Sequence, residues 1–401
     1  MQNLIVLAHV PTDSVNQGFL PAAKLLGLSV TLLTDCADAH RAHFARGGLP
    51  AYPDEILSCD VFNPLAVIDT LAHHAVRPSA IFSNSDHLQT STSVAADYFG
   101  LPRKDWHTAY RAKNKAEMRV HLRALGIDTL WHATVCNPAM LSALQEVPFP
   151  AVVKPREGVA SLQVSLARGH AELQAQCAAV WTEHPGRPML IEEYLDGPLY
   201  TLETLGDGKD MTVLGGFQVR LSPPPHFIEH EAVWRPGLPQ GEGARVLDIV
   251  RSFGVGFGAC HTEFVMSAQG PRLIEINYRN IGDYREFLLQ ETLGIPLFET
   301  VLRLYLGEAL PALRIADHAA HIRYFVASEA GIVMRAPEAF AQRTDTVRLT
   351  YQPLRAAGDT IALSHSNKDY LGVLRGVGAD AGALATAIDS TAQGLSWEVA
   401  A

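Results

Sequence analysis

Two short segments, His261-Thr262-Glu263 and Glu275-Ile276-Asn277-Tyr278-Arg279, leave this chain few ways to fold around them. Apolar runs flank them on the inside, Phe264-Val265-Met266 and Leu273-Ile274, and Ser267-Ala268-Gln269-Gly270 between those runs is a turn sequence. Side chains alternate across a strand, so Glu275 and Asn277 project from one face while Ile274, Ile276 and Tyr278 point to the other. Glu263 and Glu275 are equidistant from Gln269, so a hairpin centred there sets the two carboxylates roughly opposite each other. Like charges in that position are destabilising unless something positive lies between them. Two carboxylates and an amide oxygen are a donor set suited to Mg²⁺. The plainer reading is an exposed face of solvated acids; the apolar flanks and the trailing Arg279 favour the metal. Arg279 then faces phosphate or a substrate carboxylate.

The rest of the chain supplies the frame. Residues 4–10 (LIVLAHV), 29–35 (SVTLLTD) and 79–85 (SAIFSNS) are short apolar runs alternating with helical patterns, one from about Gln17 to Leu26 and stopped by Gly27, another ending at Gly100. Such alternation predicts a parallel sheet covered by helices, a small α/β domain over 1–107. Asp35 ends the second run, as in dinucleotide-binding domains. The turn after the first run (His9-Val10-Pro11-Thr12-Asp13-Ser14-Val15) has no glycine, however, and cannot bring backbone close to a pyrophosphate. Asp35 therefore reads as a solvent-facing strand end or a turn donor.

From about Thr108 the character changes. Lys113 to Leu125 predicts one amphipathic helix stopped by Gly126. AVVK (151–154) and MLIEEYL (189–195) read as strands flanking a helix near 170–183, and later apolar runs at hairpin spacing predict a largely antiparallel α+β region to about 310. The last ninety residues read as a smaller β-rich domain, 311–401.

Lys154 closes an apolar strand, where it reaches an anion or snorkels to water. The strand Leu190-Ile191-Glu192-Glu193-Tyr194-Leu195 runs into Asp196-Gly197, and its end can offer backbone groups to a purine edge.

As an ordered set these pieces resemble the ATP-grasp superfamily. The resemblance covers nearly the whole chain, and its motifs are weak singly. Lys115, eleven residues before Gly126, looks like the family's first nucleotide lysine, and Lys154 in AVVKP like the second. IEEYLDG is similar to the hinge strand, implying adenine contacts from Glu192, Glu193 and Leu195. HTE followed by EINYR implies Glu263, Glu275 and Asn277 as Mg²⁺ ligands, with Mn²⁺ as a substitute, and Arg279 as a phosphate or acyl-phosphate contact. The implied fold is a Rossmann-like pre-grasp domain (1–107), an ATP-grasp domain (108–310, with a lid at about 128–188) and a small C-terminal domain. The implied activity is ATP-dependent carboxylate–amine ligation through an acyl phosphate, releasing ADP and phosphate, with a homodimer as a family-level expectation.

Two departures from the family stand out. The loop after Lys154 (Arg156-Glu157-Gly158-Val159-Ala160-Ser161-Leu162-Gln163) holds one glycine where relatives are glycine- and serine-rich, which points to a stiffer lid using Ser161. The position of the usual ribose-binding acid is Leu199, and Glu203 on the next strand is either its substitute or simply a strand residue. For the substrate, Arg220 is a carboxylate clamp or a surface arginine. His226 is a base or a loop residue, and Asp283, Tyr284 and Arg285 are further lining candidates. Cys260 reads as core.

A formal net charge of −10 argues against nucleic acid as the main partner. No apolar run approaches the ~20 residues a membrane span needs. Five scattered cysteines exclude a CxxC site and fit a reducing compartment, and the first residues lack a signal-peptide pattern, so the expectation is cytoplasmic. The segment EINYRNIGDYREFLLQETLG looks most similar to ATP-grasp ligases of siderophore biosynthesis, the vibrioferrin type, which implies joining an amino acid to a polycarboxylate or keto acid. A dipeptide-forming amino-acid ligase and a non-catalytic ATP-binding protein on the same fold are the competing readings.

Overall fold

The computed structural model describes residues 2–46, 52–238, 241–316 and 318–400. Strands β1 (Asn3–Leu7), β2 (Ser29–Thr34), β3 (Glu55–Ser58) and β4 (Ala80–Phe82) form a parallel sheet in the order β3-β2-β1-β4. Leu4, Ile5, Val6 and Leu7 are all buried, because helices cover both faces and consecutive side chains each meet a core. The expected α/β domain is present.

A second sheet holds β5 (His132–Val135), β6 (Ala151–Pro155), β7 (Ser165–Ala167) and β8 (Met189–Glu193), antiparallel in the order β5-β8-β6-β7, with helix His170–Glu183 packed on it. The third sheet has nine strands. It includes β9 (Leu199–Asp207), β10 (Met211–Leu221), β11 (Glu229–Arg235), β12 (Phe257–Ser267), β13 (Gly270–Asn277) and β14 (Ala319–Val326). A small sheet is made by β15 (Gly331–Arg335) with two later strands, while β16 (Phe340–Arg343) and β17 (Val347–Pro353) return to the large one. The partners of β15 are β18 (Thr360–Ile361) and β20 (Glu398–Ala400), and between them β19 (Tyr370–Gly378) completes the nine in the order β13-β12-β9-β10-β11-β14-β19-β17-β16.

One sequence expectation changes. Residues 113–125 are not one helix: Trp106–Lys113 and Lys115–Ala124 are separate, broken at Asn114, whose extended backbone lets its side chain cap the second helix at the Glu117 N–H. That cap sets Lys115 at the first helical position. Strand β14 of the 311–401 segment joins the large sheet beside β11, pairing Arg323 with Glu231, Ile322 with Ala232 and His321 with Val233. Among the described residues, no helix is long and apolar enough to cross a membrane.

Candidate active site

The carboxylate hairpin forms with Glu263 directly opposite Glu275 and His261 opposite Asn277. The reason is subtler than symmetry about Gln269. The turn pairs Ser267 with Gly270, and a regular ladder from there would set Glu263 against Ile274. A bulge between Glu263 and Phe264 leaves Ile274 unpaired, so the register slips by one and Glu275 takes the place. On the other flank of β12, His261 pairs with Glu203 and Glu263 with Thr201 of β9. One sheet face therefore presents Thr201, Glu203, His261, Glu263, Glu275 and Asn277. The opposite face buries Leu202, Cys260, Phe264, Ile276 and Tyr278 in a core, as expected for Cys260.

Four cations neutralise these acids and Glu192 of β8. Lys115 Nζ lies 2.9 Å from Glu275 Oε2 and also donates to the Gly158 carbonyl at 2.9 Å. Burial opposes its charge, but Glu275 more than compensates and raises its pKa. His261 bridges two carboxylates, Nδ1 to Glu203 at 2.8 Å and Nε2 to Glu263 at 3.1 Å. Burial disfavours an imidazolium here, yet Glu203 and then Glu263 push its pKa up to about 9, so both nitrogens carry protons at neutral pH. Lys154 Nζ lies 2.5 Å from Glu192 Oε2, and Arg119 Nε 2.6 Å from Glu192 Oε1. Burial raises the Glu192 carboxyl, but Arg119 and Lys154 together outweigh it and hold it at about 2.

Lys115, Arg119, Lys154, Glu192, His261, Glu263 and Glu275 line a cleft of about 360 Å³ between the β5–β8 sheet and the hairpin face. Its apolar wall includes Leu130, Val152, Leu195, Leu199, Phe227 and Ile274; its polar wall includes Lys115, Lys154, Glu263, Glu275, Asn277 and Arg279. Glu193 and Ser161 also border it. Ser161 has φ +55°, and Ala160 and Gln163 are likewise left-handed, so the glycine-poor loop makes its turns with ordinary residues. The Ala160 carbonyl accepts from the Asn367 N–H at 3.1 Å, tying that loop to the C-terminal segment.

The cleft is also lined by a further ion pair, Arg285 Nη1 to Glu229 Oε2 at 2.8 Å, both residues buried. Burial raises the Glu229 carboxyl against the pull of Arg285. Asn367 accepts from the Glu229 N–H at 3.1 Å.

Three of the sequence candidates lie outside the cleft. Glu203, the candidate ribose acid or plain strand residue, is buried, its carboxylate bonded to His261 and to Thr201 Oγ1 at 2.8 Å, and it does not border the cleft. Arg220 points away from the cleft; its half-exposed guanidinium pairs with Glu231 at 2.6 Å. His226 stacks on His365 with ring centroids 4.4 Å apart, also outside the cleft. Arg285 does border it.

Sequence reasoning missed Arg119, His261 as a bridging cation, Glu229 and Asn367. His261 was findable, since it stands two residues before Glu263 and must share its face. The others reach the cleft from elements far apart in sequence and carry no local signal.

No family model matches the chain. It is 29% identical over 244 residues to the uncharacterized protein y4rH of Sinorhizobium fredii, covering 58% of this chain and 50% of that protein. It is 26% identical over 326 residues to carnosine synthase 1 of Gallus gallus, covering 74% of this chain and 35% of that protein. The chain thus spans half or less of the length of these curated relatives. Among solved structures, an L-amino acid ligase from Bacillus licheniformis superposes with TM-score 0.80 at 19% identity, over 100% of this chain and 99% of that one. The phosphoribosylglycinamide synthetase of Anaerococcus prevotii gives TM-score 0.71 at 15% identity, covering 100% of both chains. The biotin carboxylase domain of Hydrogenobacter thermophilus 2-oxoglutarate carboxylase, solved with MgADP, gives 0.70 at 15%, over 99% of this chain and 90% of that one.

Proposed function

We propose that this chain, which has the ATP-grasp fold, is an ATP- and Mg²⁺-dependent carboxylate–amine ligase. The observation that carries the reading is the shared face of Glu263, Glu275 and Asn277 with Lys115 and Arg279 at the edge of one cleft. The donor set fits a hard divalent cation, and Lys115 neutralises Glu275 as such a cation would. Glu263, Glu275 and Asn277 would hold the ion, whose chemistry there is neutralisation of phosphate charge.

A carboxylate does not accept an amine directly, because oxide is a very poor leaving group. Attack of a substrate carboxylate oxygen on the γ-phosphorus of ATP forms an O–P bond and releases ADP. An amine nitrogen then attacks the acyl carbon, loses its proton and expels phosphate. The chain's contribution is positioning and charge. The apolar wall at Leu130, Val152 and Leu195 takes the base, Lys154 is braced by Glu192, and Lys115 can pass from Glu275 to a phosphate oxygen. Arg279, whose Nη1 is anchored on the Asn280 carbonyl at 2.8 Å, faces the reacting phosphoryl group. The lid loop docked on Asn367 limits water access.

The Glu229–Arg285 pair lining the cleft supports an α-amino acid as one substrate, carboxylate to Arg285 and ammonium to Glu229. The likeness to an L-amino acid ligase and to carnosine synthase supports the same class. The siderophore pathway is the finer reading, supported by residues 275–294 alone.

The test is nucleotide product analysis with ATP, Mg²⁺ and amino acids combined with other amino acids, citrate or 2-oxoglutarate. ADP formed only with a matched pair, beside a product lighter than their sum by one water, is expected; a citrate or 2-oxoglutarate product would favour the siderophore reading. AMP and pyrophosphate would exclude the acyl phosphate. ATP binding that survives Glu275→Ala, with no turnover on any pair, would favour a non-catalytic binding protein.

A further inference from the structure

At the carboxyl ends of β1 and β2, on residues that do not themselves border the cleft, three different donors meet. The parallel register aligns Leu7 with Leu33, so His9 and Asp35, two residues beyond each, stand side by side. His9 Nδ1 lies 2.8 Å and 2.9 Å from the two oxygens of Asp35 and 3.6 Å from Cys36 Sγ. All three donor atoms fall within 4.8 Å of one another.

Cysteine, histidine and aspartate suggest a nucleophile relay, but the geometry excludes one. A relay needs the thiol on one ring nitrogen and the carboxylate on the other. Here both converge on Nδ1, and one nitrogen cannot serve both at once. Convergence on a point is instead the arrangement of ligands around an ion. In a tetrahedral zinc site, bonds of about 2.3 Å to sulfur and about 2.0 Å to nitrogen set the two atoms about 3.5 Å apart. The observed 3.6 Å already matches. The carboxylate would retreat by about half an ångström to reach the corresponding spacing.

The surroundings fix the ligands. The His9 carbonyl accepts from Thr34 Oγ1 at 2.8 Å and from buried His40 Nε2 at 2.9 Å, and Thr34 Oγ1 accepts from the Cys36 N–H at 3.0 Å. These bonds clamp the turn after β1 to the corner that starts helix Ala37–Arg46. Phe62 meets the His9 ring edge-on with centroids 5.2 Å apart, giving an apolar wall. The His9 and Asp35 side chains are 40% and 29% exposed, so an ion has access and a fourth position faces water.

We propose that His9, Asp35 and Cys36 form a metal site separate from the carboxylate hairpin, selective for a zinc-class divalent cation. Thiolate and imidazole favour such an ion over Mg²⁺, whereas the hairpin offers only oxygen donors. The site would cross-link the two turns at the edge of the N-terminal sheet.

Co²⁺ is the probe, added to the reduced full-length protein with Mg²⁺ in excess to occupy the hairpin. One equivalent should produce a sulfur-to-cobalt charge-transfer band that Zn²⁺ displaces, and Zn²⁺ should raise Tm. Both effects should vanish in Cys36→Ser and in Asp35→Asn, the latter a half-exposed position that serves if the former misfolds, and both should persist in Glu275→Gln. Absence of the band in the wild-type chain overturns the proposal. So does a band that survives Cys36→Ser, since another cysteine would then carry it. Loss of ligase turnover in Glu275→Gln with the band intact would separate the two sites.

Discussion

Arg119 Nη2 donates to the carbonyl of Ile274 at 3.2 Å, and Ile274 is the extra residue whose insertion brings Glu275 opposite Glu263. The same guanidinium donates to the Leu273 carbonyl at 2.8 Å and to Glu192 at 2.6 Å. One buried arginine thus satisfies the backbone of the bulge and braces the partner of Lys154. The metal-facing and nucleotide-facing halves of the cleft share that support.

Replacing Arg119 by methionine keeps the volume and removes every donor. Two carbonyls lose their partner and Glu192 keeps only Lys154. A loss of about 3–5 kcal/mol is expected, read by urea unfolding, together with weaker ATP binding by calorimetry. Wild-type stability in Arg119→Met would show that the bulge needs no such clamp.

His261 and Glu203 form a buried pair, so their contributions should not be additive. His261→Leu leaves Glu203 buried without a cation, and Glu203→Leu leaves the imidazolium to Glu263 alone. The double variant should be less destabilised than the two singles combined by at least about 1 kcal/mol, measured by urea unfolding without Mg²⁺. Additive losses would mean that the 2.8 Å contact carries no coupling.

Glu286 gives the chain a pH dependence of unusual sign. Burial, and then the Asp283 charge, push its carboxyl up to about 7 from the ordinary 4.5. The folded state therefore holds this proton to higher pH than the unfolded chain does, and stability falls as pH rises from about 4.5 to 7. Above that the cost is on the order of 3 kcal/mol. Glu286→Gln should raise the urea midpoint at pH 8 and leave it nearly unchanged at pH 4.5. An equal gain at both pH values would assign the effect to packing.

Arg220 and His226, which the sequence left open as pocket or surface residues, should be dispensable for turnover. Arg220→Ala removes a half-exposed ion pair worth roughly 0.2–1 kcal/mol. Both variants should keep kcat/KM within about twofold, about 0.4 kcal/mol of transition-state binding, on whichever substrate pair is active. A tenfold rise in KM for either would return that residue to the pocket.

The sequence alone determined the elements whose signal is local. Alternation between apolar runs and helical patterns was enough for the N-terminal parallel sheet, because strands buried on both faces must be apolar throughout. Alternation along a strand was likewise enough to put Glu275 and Asn277 on one face and Cys260 in the core. Glu263 against Glu275 was also legible, although the equal spacing about Gln269 stands in for a tight turn plus a bulge.

What only the tertiary structure decided are the relations between distant segments. Glu203 and Arg220 sit on β9 and β10 with the right chemistry for a ligand, yet their neighbours across the sheet, His261 and Glu231, claim them first. Arg119, Glu229 and Asn367 reach the cleft from a helix, a strand and a C-terminal turn. His9 meets Cys36 only because β1 and β2 are paired in parallel register. A strand fixes which way its own side chains point every second residue. Which partner then satisfies a buried charge depends on the pairing of strands far apart in the chain, and no local pattern records that.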